Sequence, residues 1–223
     1  MKLSILIPHK TGIEQRDRIW LKVLQRYQRI YPDLELCVGE DYSEPFCKAR
    51  AVNQAVRKAT GEFYLIADSD VIFPADLVPR LMEKFNEYPW IIPFQRGLRL
   101  NREASDRLLE QNLPEQIVVE DRDVEEEITH PGALMCAVKR SAFEAVSGFD
   151  ERFKGWGFED STFALTLNTI CGPYIRMEGD IYHLWHPKAE TQGYNNLLLW
   201  ARYVKTGNDV AAMQEIIKER FQS

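Results

Sequence analysis

The chain has 223 residues, enough for one large domain or two small ones. It is 45% hydrophobic and 28% charged, the balance of a soluble globular protein with a real core. A net charge of −6 excludes the electrostatic footprint of a duplex nucleic-acid binder, because phosphate contacts need clustered Lys and Arg.

From the N-terminus, Leu3 to Ile7 is a continuous apolar run ending at Pro8, the pattern of a strand buried on both faces of a parallel sheet. It is too short for a signal peptide or a membrane span. Ile19, Trp20, Val23, Leu24, Tyr27 and Ile30 recur at helical spacing until Tyr31-Pro32-Asp33 stops the helix. Leu34 to Val38 is a second predicted strand. A second helix is expected from about Pro45, with Ala51, Val52, Ala55 and Val56 on its apolar side and Thr60-Gly61 closing it. Phe63 to Ala67 is a third strand running straight into Asp68. Strand, helix, strand, helix, strand predicts right-handed crossovers and a parallel sheet with helices on both faces. Ligands in such sheets sit beyond the carboxyl ends of the strands, where Asp68 and Asp70 fall.

Farther on, Pro74 to Tyr88 reads as a helix and Trp90 to Phe94 as a strand. The charge run Glu120 to Glu127 reads as a solvated loop or helix end, since nothing holds those carboxylates convergent. Ala133 to Val138 is predicted as a strand, followed by a short helix through Phe143 and Val146 to Gly148. Tyr194 to Phe221 reads as two helices separated near Gly207-Asn208, with Asn208 or Asp209 as the second N-cap. The four cysteines, Cys37, Cys47, Cys136 and Cys171, lack metal-ligand spacing and read as free thiols of a reducing compartment.

Four groups of residues carry candidate chemistry. Asp68-Ser69-Asp70 ends a buried strand, where one acid can meet a divalent cation and the other a ribose or coordinated water; an exposed turn has the same composition. In Gly155-Trp156-Gly157-Phe158-Glu159-Asp160 the glycines let the backbone turn and present an indole, on which a sugar ring can stack. Glu159 and Asp160 then open a helix, where they serve either as a general base or as capping acids. His183 and His186 stand three apart in a strand-like aromatic segment; imidazole suits a transition metal, and also suits a packed core. Pro8, Arg16, Arg18, Phe46, Lys48 and Asn53 form a looser set that could meet a nucleotide, although helical arginines are more often solvated surface.

Together these residues resemble a glycosyltransferase of the GT-A fold, close to family 2 and to the β-1,4-galactosyltransferase and polypeptide N-acetylgalactosaminyltransferase families. The resemblance runs from Leu3 to about Pro187, and its most specific part is the Gly-Phe-Asp-x-x-Phe-x-Gly-Trp-Gly-x-Glu-Asp segment over Gly148 to Asp160. It implies an α/β, Rossmann-like, mostly parallel sheet flanked by helices, with a helical C-terminal tail. The implied division is a transferase domain over 1–190, with 1–100 as the nucleotide-sugar half and 130–190 as the acceptor and metal-completing half. Residues 191–223 would be helices packed on the same domain.

Carried over, the resemblance makes Asp70, with His186 and His183, the ligands of Mn²⁺ or Mg²⁺. Asp68 would contact the donor nucleotide. Phe46, Lys48 and Asn53 would lie around uridine and sugar, and Trp156 would contact sugar. Asp160 would act as base beside Glu159 at the acceptor. Two departures stand out: Lys48 replaces an Arg, and His183-x-x-His186 replaces a Met-x-x-His pair. The implied reaction moves a hexose or N-acetylhexosamine from a UDP-sugar to a hydroxyl of a glycan, lipid-linked sugar, protein or modified nucleic acid, with inversion. With neither membrane anchor nor lumenal disulfides, a cytoplasmic enzyme is expected. The rival readings are a nucleotidyltransferase, which should have a Gly-rich basic loop after the first strand, and a non-catalytic binding module, which need not keep the acids.

Overall fold

A computed structural model describes residues 2–187 and 194–221 of the chain. In order the elements are β1 (Leu3–His9), α1 (Glu14–Ile30), β2 (Glu35–Glu40), α2 (Lys48–Lys58), β3 (Phe63–Ala67), β4 (Val71–Ile72) and α3 (Leu77–Lys84). Next come β5 (Trp90–Ile92), β6 (Arg96–Leu100), α4 (Arg102–Glu110), a 3-10 turn (Asp121–Asp123), β7 (Val124–Ile128), β8 (Met135–Lys139) and α5 (Arg140–Ala145). The chain continues through α6 (Glu159–Cys171), β9 (Ile175–Arg176), β10 (Asp180–His183), α7 (Tyr194–Thr206) and α8 (Val210–Lys218), and a 3-10 turn (Glu219–Phe221) follows.

The main sheet has the order β2-β1-β3-β8-β5-β9. Its first three strands are parallel, as the buried apolar runs predict: all residues of β1 and of β3 are buried. β8 runs antiparallel to both β3 and β5. Helix α1 buries Ile19, Val23 and Tyr27, four residues apart, and α2 packs so closely that a Cβ on Gly39 of β2 would lie 1.8 Å from the Ala51 carbonyl oxygen. Only glycine fits there. The cysteines are free; Cys37, Cys47 and Cys136 are buried and Cys171 half-buried.

A second sheet, of order β4-β10-β6-β7, was not foreseen. Its short strands leave little periodic signal, yet it builds the site. β10 pairs antiparallel with β4 in the register His183 to Val71, which carries His183 to the residue after Asp70. The charge run is corrected by the same sheet. Glu120 and Asp123 cap the 3-10 turn reciprocally, and Val124 to Ile128 then pairs with β6 as a strand, with Glu126 3.6 Å from Arg99. Helix α2 begins at Lys48 rather than Pro45, capped by the Cys47 sulfur, which accepts from the Arg50 N–H at 3.4 Å. α3 is shorter than the predicted Pro74 to Tyr88, and β5 ends at Ile92.

Asp209 caps α8 by accepting from the Ala211 and Ala212 N–H groups. A small core of Phe153, Tyr203, Met213, Ile216 and Ile217, packed against Leu165 and Ile170, welds α7 and α8 to α6. The division predicted between 190 and 191 lies outside the described residues.

Buried Asp150 ties these helices to the loop before α6. Its carboxylate accepts from Arg152 Nη2 at 2.8 Å and Tyr203 Oη at 2.7 Å, and lies 3.6 Å from Arg220 Nε. Arg220 also donates to the Val146 and Gly148 carbonyls at 3.1 Å. Asp150→Ala is therefore expected to cost about 3 kcal/mol, because it strands two guanidinium groups against the protein. Chemical denaturation measures this, and a loss of a few tenths of a kcal/mol would rule out the tie.

Candidate active site

β3 delivers the Asp68-Ser69-Asp70 turn at its carboxyl end, where the Asp68 N–H donates to the Leu134 carbonyl at 2.9 Å and the Val71 N–H to the Asp68 carbonyl at 3.2 Å. The Leu184 N–H then donates to the Asp70 carbonyl at 2.9 Å, extending the β4–β10 pairing past His183. Trp185 is fixed in turn by its N–H, which donates to Ser105 Oγ at 2.7 Å, and by Arg102, whose guanidinium lies 5.2 Å from the indole centroid.

The result is a buried cluster. His183 Nε2 lies 3.4 Å from Asp70 Oδ1, and His186 Nε2 lies 3.1 Å from Asp70 Oδ2. One ligand atom from each of Asp70, His183 and His186 can be chosen so that all lie within 4.8 Å of one another. Arg16 Nη2, from the first turn of α1, reaches Asp70 Oδ2 at 3.2 Å. Tyr27, farther along α1, donates its hydroxyl to the Val71 carbonyl at 2.7 Å and pins the turn from behind.

The charges fit a cation. Burial pushes His183 down to about 4, so its imidazole is neutral near pH 7. Burial works against the Asp70 carboxylate, but His183, His186 and Arg16 hold it well below the usual range. His186 Nδ1 stands 2.7 Å from the Pro187 carbonyl, which can only accept, so Nδ1 carries the proton. With Nδ1 so engaged, Nε2 is the ring nitrogen left facing the carboxylate. Asp70 Oδ1 is buried without a hydrogen-bond donor. An unpartnered carboxylate oxygen beside two imidazoles in a dry site is satisfied by a cation.

Beside it lies a second cluster. Lys48, the first residue of α2, places Nζ 2.7 Å from Asp68 Oδ1 and 2.8 Å from Asp160 Oδ2. Asp160, the second residue of α6, is pushed up to about 7, first by burial and then by Glu159 and Asp68, against the pull of Lys48. Burial also raises Glu159, whose Oε2 accepts from the Gly157 N–H at 3.0 Å. Burial opposes the Lys48 ammonium, yet Asp160 and Asp68 hold it charged well above the usual lysine range. Gly132 lets another loop approach: a Cβ there would lie 2.7 Å from the Asp160 carbonyl oxygen.

The loop before α6 turns through left-handed backbone at Gly155, Gly157 and Phe158, with φ of 73°, 115° and 73°. Trp156 is left 61% exposed, a large apolar surface to offer to water. Its backbone is held by buried Asn196 of α7, whose Nδ2 donates to the carbonyls of Lys154 at 3.0 Å and Gly157 at 3.1 Å. The Gly155 N–H donates to the Phe46 carbonyl at 2.9 Å, and Phe158 stacks on Trp200 with centroids 6.0 Å apart. Asn196→Ala is expected to lower stability by about 1–3 kcal/mol. It should also speed amide hydrogen exchange across 154–157 while sparing the Asp70 cluster; unchanged exchange would reject the clamp.

The structure thus gathers Arg16, Lys48, Asp68, Asp70, Glu159, Asp160, His183 and His186, and sets Trp156 on the adjoining loop, whose Gly155 N–H meets the Phe46 carbonyl. It does not bring in Arg18, which is exposed on α1. Asn53 is already committed: it donates to the Phe149 carbonyl and to Glu151 and accepts from the Phe149 N–H, all at 3.0 Å. Pro8 is buried within β1 opposite Gly39. Sequence reasoning missed Asn196, Ser105 and Gly132, which act through contacts distant in the chain.

The family model for glycosyl transferase family 2 matches residues 23–147, and one described as the N-terminal domain of galactosyltransferase matches 119–190. No curated protein matches the chain significantly. Among solved structures, the catalytic domain of Drosophila β1,4-galactosyltransferase 7, in complex with xylobiose, is similar at TM-score 0.58 and 14% identity, over 90% of this chain and 79% of that one. S. aureus TarS is similar at TM-score 0.60 and 14% identity, over 99% of this chain, which spans only 43% of TarS. Glucosyl-3-phosphoglycerate synthase from Mycobacterium tuberculosis, in complex with Mn²⁺, UDP and phosphoglyceric acid, is similar at TM-score 0.52 and 14% identity, over 95% and 78%. At these identities the likeness establishes the fold, a GT-A sheet flanked by helices.

Proposed function

This chain belongs to glycosyl transferase family 2, and from that premise we propose that it transfers a hexose or N-acetylhexosamine from a UDP-sugar to an acceptor hydroxyl, with inversion. The observation that carries the reading is the adjacency of two charged clusters at the strand ends. Asp70, His183 and His186 converge on one point, and Asp68 of the same turn is linked through Lys48 to Asp160.

Asp70, His183 and His186 would hold a divalent cation, and carboxylate with imidazole suits Mn²⁺ better than Mg²⁺. Such an ion, when bound, supplies positive charge to a departing nucleoside diphosphate. Asp68 engages the nucleotide end of the donor. Asp160 accepts the proton of the acceptor hydroxyl as its oxygen bonds to the anomeric carbon and the bond from that carbon to the diphosphate oxygen breaks. A single displacement of this kind inverts the centre. Glu159, held by the Gly157 N–H, shapes the same end of the site, and Trp156 offers a face on which the acceptor sugar stacks. Residues 1–100 form the donor half and 130–190 the acceptor and metal-completing half, supported by the helices of 191–223.

The acceptor class is a hydroxyl-bearing glycan, lipid-linked sugar, protein or modified nucleic acid, with the sugar-sized Trp156 surface favouring a glycan terminus. No helix among the described residues is long and apolar enough to cross a membrane, and free thiols fit the proposed cytoplasmic location. The test is a panel of nucleotide sugars incubated with the protein, Mn²⁺ and candidate acceptors. Released UDP, with the sugar recovered on the acceptor in the opposite anomeric configuration, is expected. Release of sugar 1-phosphate, with the nucleoside monophosphate recovered on the acceptor, would instead mark a nucleotidyltransferase, and retention of configuration would remove Asp160 from the base role.

A further inference from the structure

We propose that Lys48 is a positioning residue for the transfer: its ammonium binds the carboxylate of Asp160 to that of Asp68 and so ties the base to the donor end of the site. The proposal rests on the reading of Asp160 as base for its functional meaning, but the tie itself is a matter of geometry. Nζ stands 2.7 Å from Asp68 Oδ1 and 2.8 Å from Asp160 Oδ2, between the end of β3 and the start of α6. Its side chain is only 12% exposed, so the ammonium is committed to these partners rather than to water.

The groups facing Asp160 make that ammonium decisive. Lys48 reaches it from α2, Asp68 acts on it from the turn after β3, Cys136 lies near it on β8, and Glu159 precedes it on its own helix. Cys136 is buried with its thiol pushed up, so it contributes no charge. Among the described residues, Lys48 is the sole cation within ion-pair distance of Asp160 and of Asp68. Without it, three acids would share a poorly hydrated space, and Asp160 would take up a proton and lose its capacity as a base. A guanidinium at this position could span the same two carboxylates, whereas an uncharged side chain could not.

The coupling also has a direction. A nucleotide that engages Asp68 must share or displace the ammonium that Asp68 holds, so donor occupancy changes the charge facing Asp160. By reciprocity, the protonation state of Asp160 changes donor affinity by the same factor.

The experiment labels aspartate carboxyl carbons with ¹³C and titrates them by NMR, assigning Asp160 by the resonance lost in Asp160→Asn. In Lys48→Met the Asp160 resonance is expected to titrate about 1–3 pH units higher than in the unmodified protein, and in Lys48→Arg to return toward its original position. UDP affinity, measured with Mn²⁺ present, should lose its dependence on Asp160→Asn in the Lys48→Met background. An Asp160 midpoint unmoved in Lys48→Met would overturn the inference while leaving the base reading intact. Should Lys48→Met fail to fold, the less apolar Lys48→Gln carries the same comparison. Turnover undiminished in Asp160→Asn would sink the base reading while leaving the tie measurable.

Discussion

Asp70→Ala is expected to lower kcat/KM by about a thousandfold or more, equivalent to roughly 4 kcal/mol of transition-state stabilisation, and to abolish specific Mn²⁺ binding. Asp70 is the one carboxylate of its cluster, and the site's affinity for a hard cation depends on that charge. His183 is neutral at working pH, and two imidazoles without the carboxylate hold a divalent ion weakly. The loss should be of function and not of folding. Of the groups facing Asp70, the Arg16 guanidinium is 27% exposed and can turn to water, so removing the acid strands no buried cation. Mn²⁺ titration by electron paramagnetic resonance, run beside thermal unfolding of the same sample, reads both quantities. A folded Asp70→Ala protein that binds Mn²⁺ as tightly as the parent would refute the assignment. His186→Ala should fall between the two, since its Nε2 faces the same carboxylate oxygen that Arg16 reaches.

The parts of this site that were legible in the sequence share a physical cause. β1 and β3 are buried on both faces, so they are written as unbroken apolar runs, and the acids at the end of β3 stand out against them. The Gly-Trp-Gly turn is legible because its left-handed backbone demands glycine on both sides of the indole. The second sheet was invisible for the opposite reason. β4 has two residues, β10 four, and β7 carries three glutamates in a row, so none offers a hydrophobic period. Yet it is the pairing of β4 with β10 that sets His183 beside Asp70. The motif reading found the pair of histidines without finding what brings them there.

Asn53 and Lys48 show the converse. The segment match puts both near the nucleotide, but Asn53 spends its amide on the Phe149 backbone while Lys48 spans two acids. Five residues apart on α2, the two lie about 140° apart around the helix axis and so meet different neighbours. Asn196 left a fainter trace, a polar residue in helical register with Trp200 and Tyr203, and such a residue must find hydrogen bonds where it is buried.

Asp160→Asn is expected to reduce kcat by about 10²–10⁴-fold, the range lost when a positioned base is removed. The amide keeps the size of the side chain and its carbonyl can still accept from Lys48 Nζ, so the fold and the Lys48 contact persist while the proton acceptor is gone. The pH dependence gives an independent reading. Because burial pushes Asp160 up to about 7, the base is deprotonated only above that value. The acid limb of kcat/KM should therefore lie near pH 7, with activity falling about tenfold per unit below it. An acceptor hydroxyl titrates far above this range, so a base poised near 7 is both present at working pH and strong enough to share the proton in the transition state. Glu159 is also raised by burial, but its Oε2 already accepts from the Gly157 N–H at the start of α6. Glu159→Gln should accordingly cost much less and leave the limb in place. If the limb instead fell near pH 4, or if Glu159→Gln abolished turnover while Asp160→Asn did not, the proton would be going to a different carboxylate.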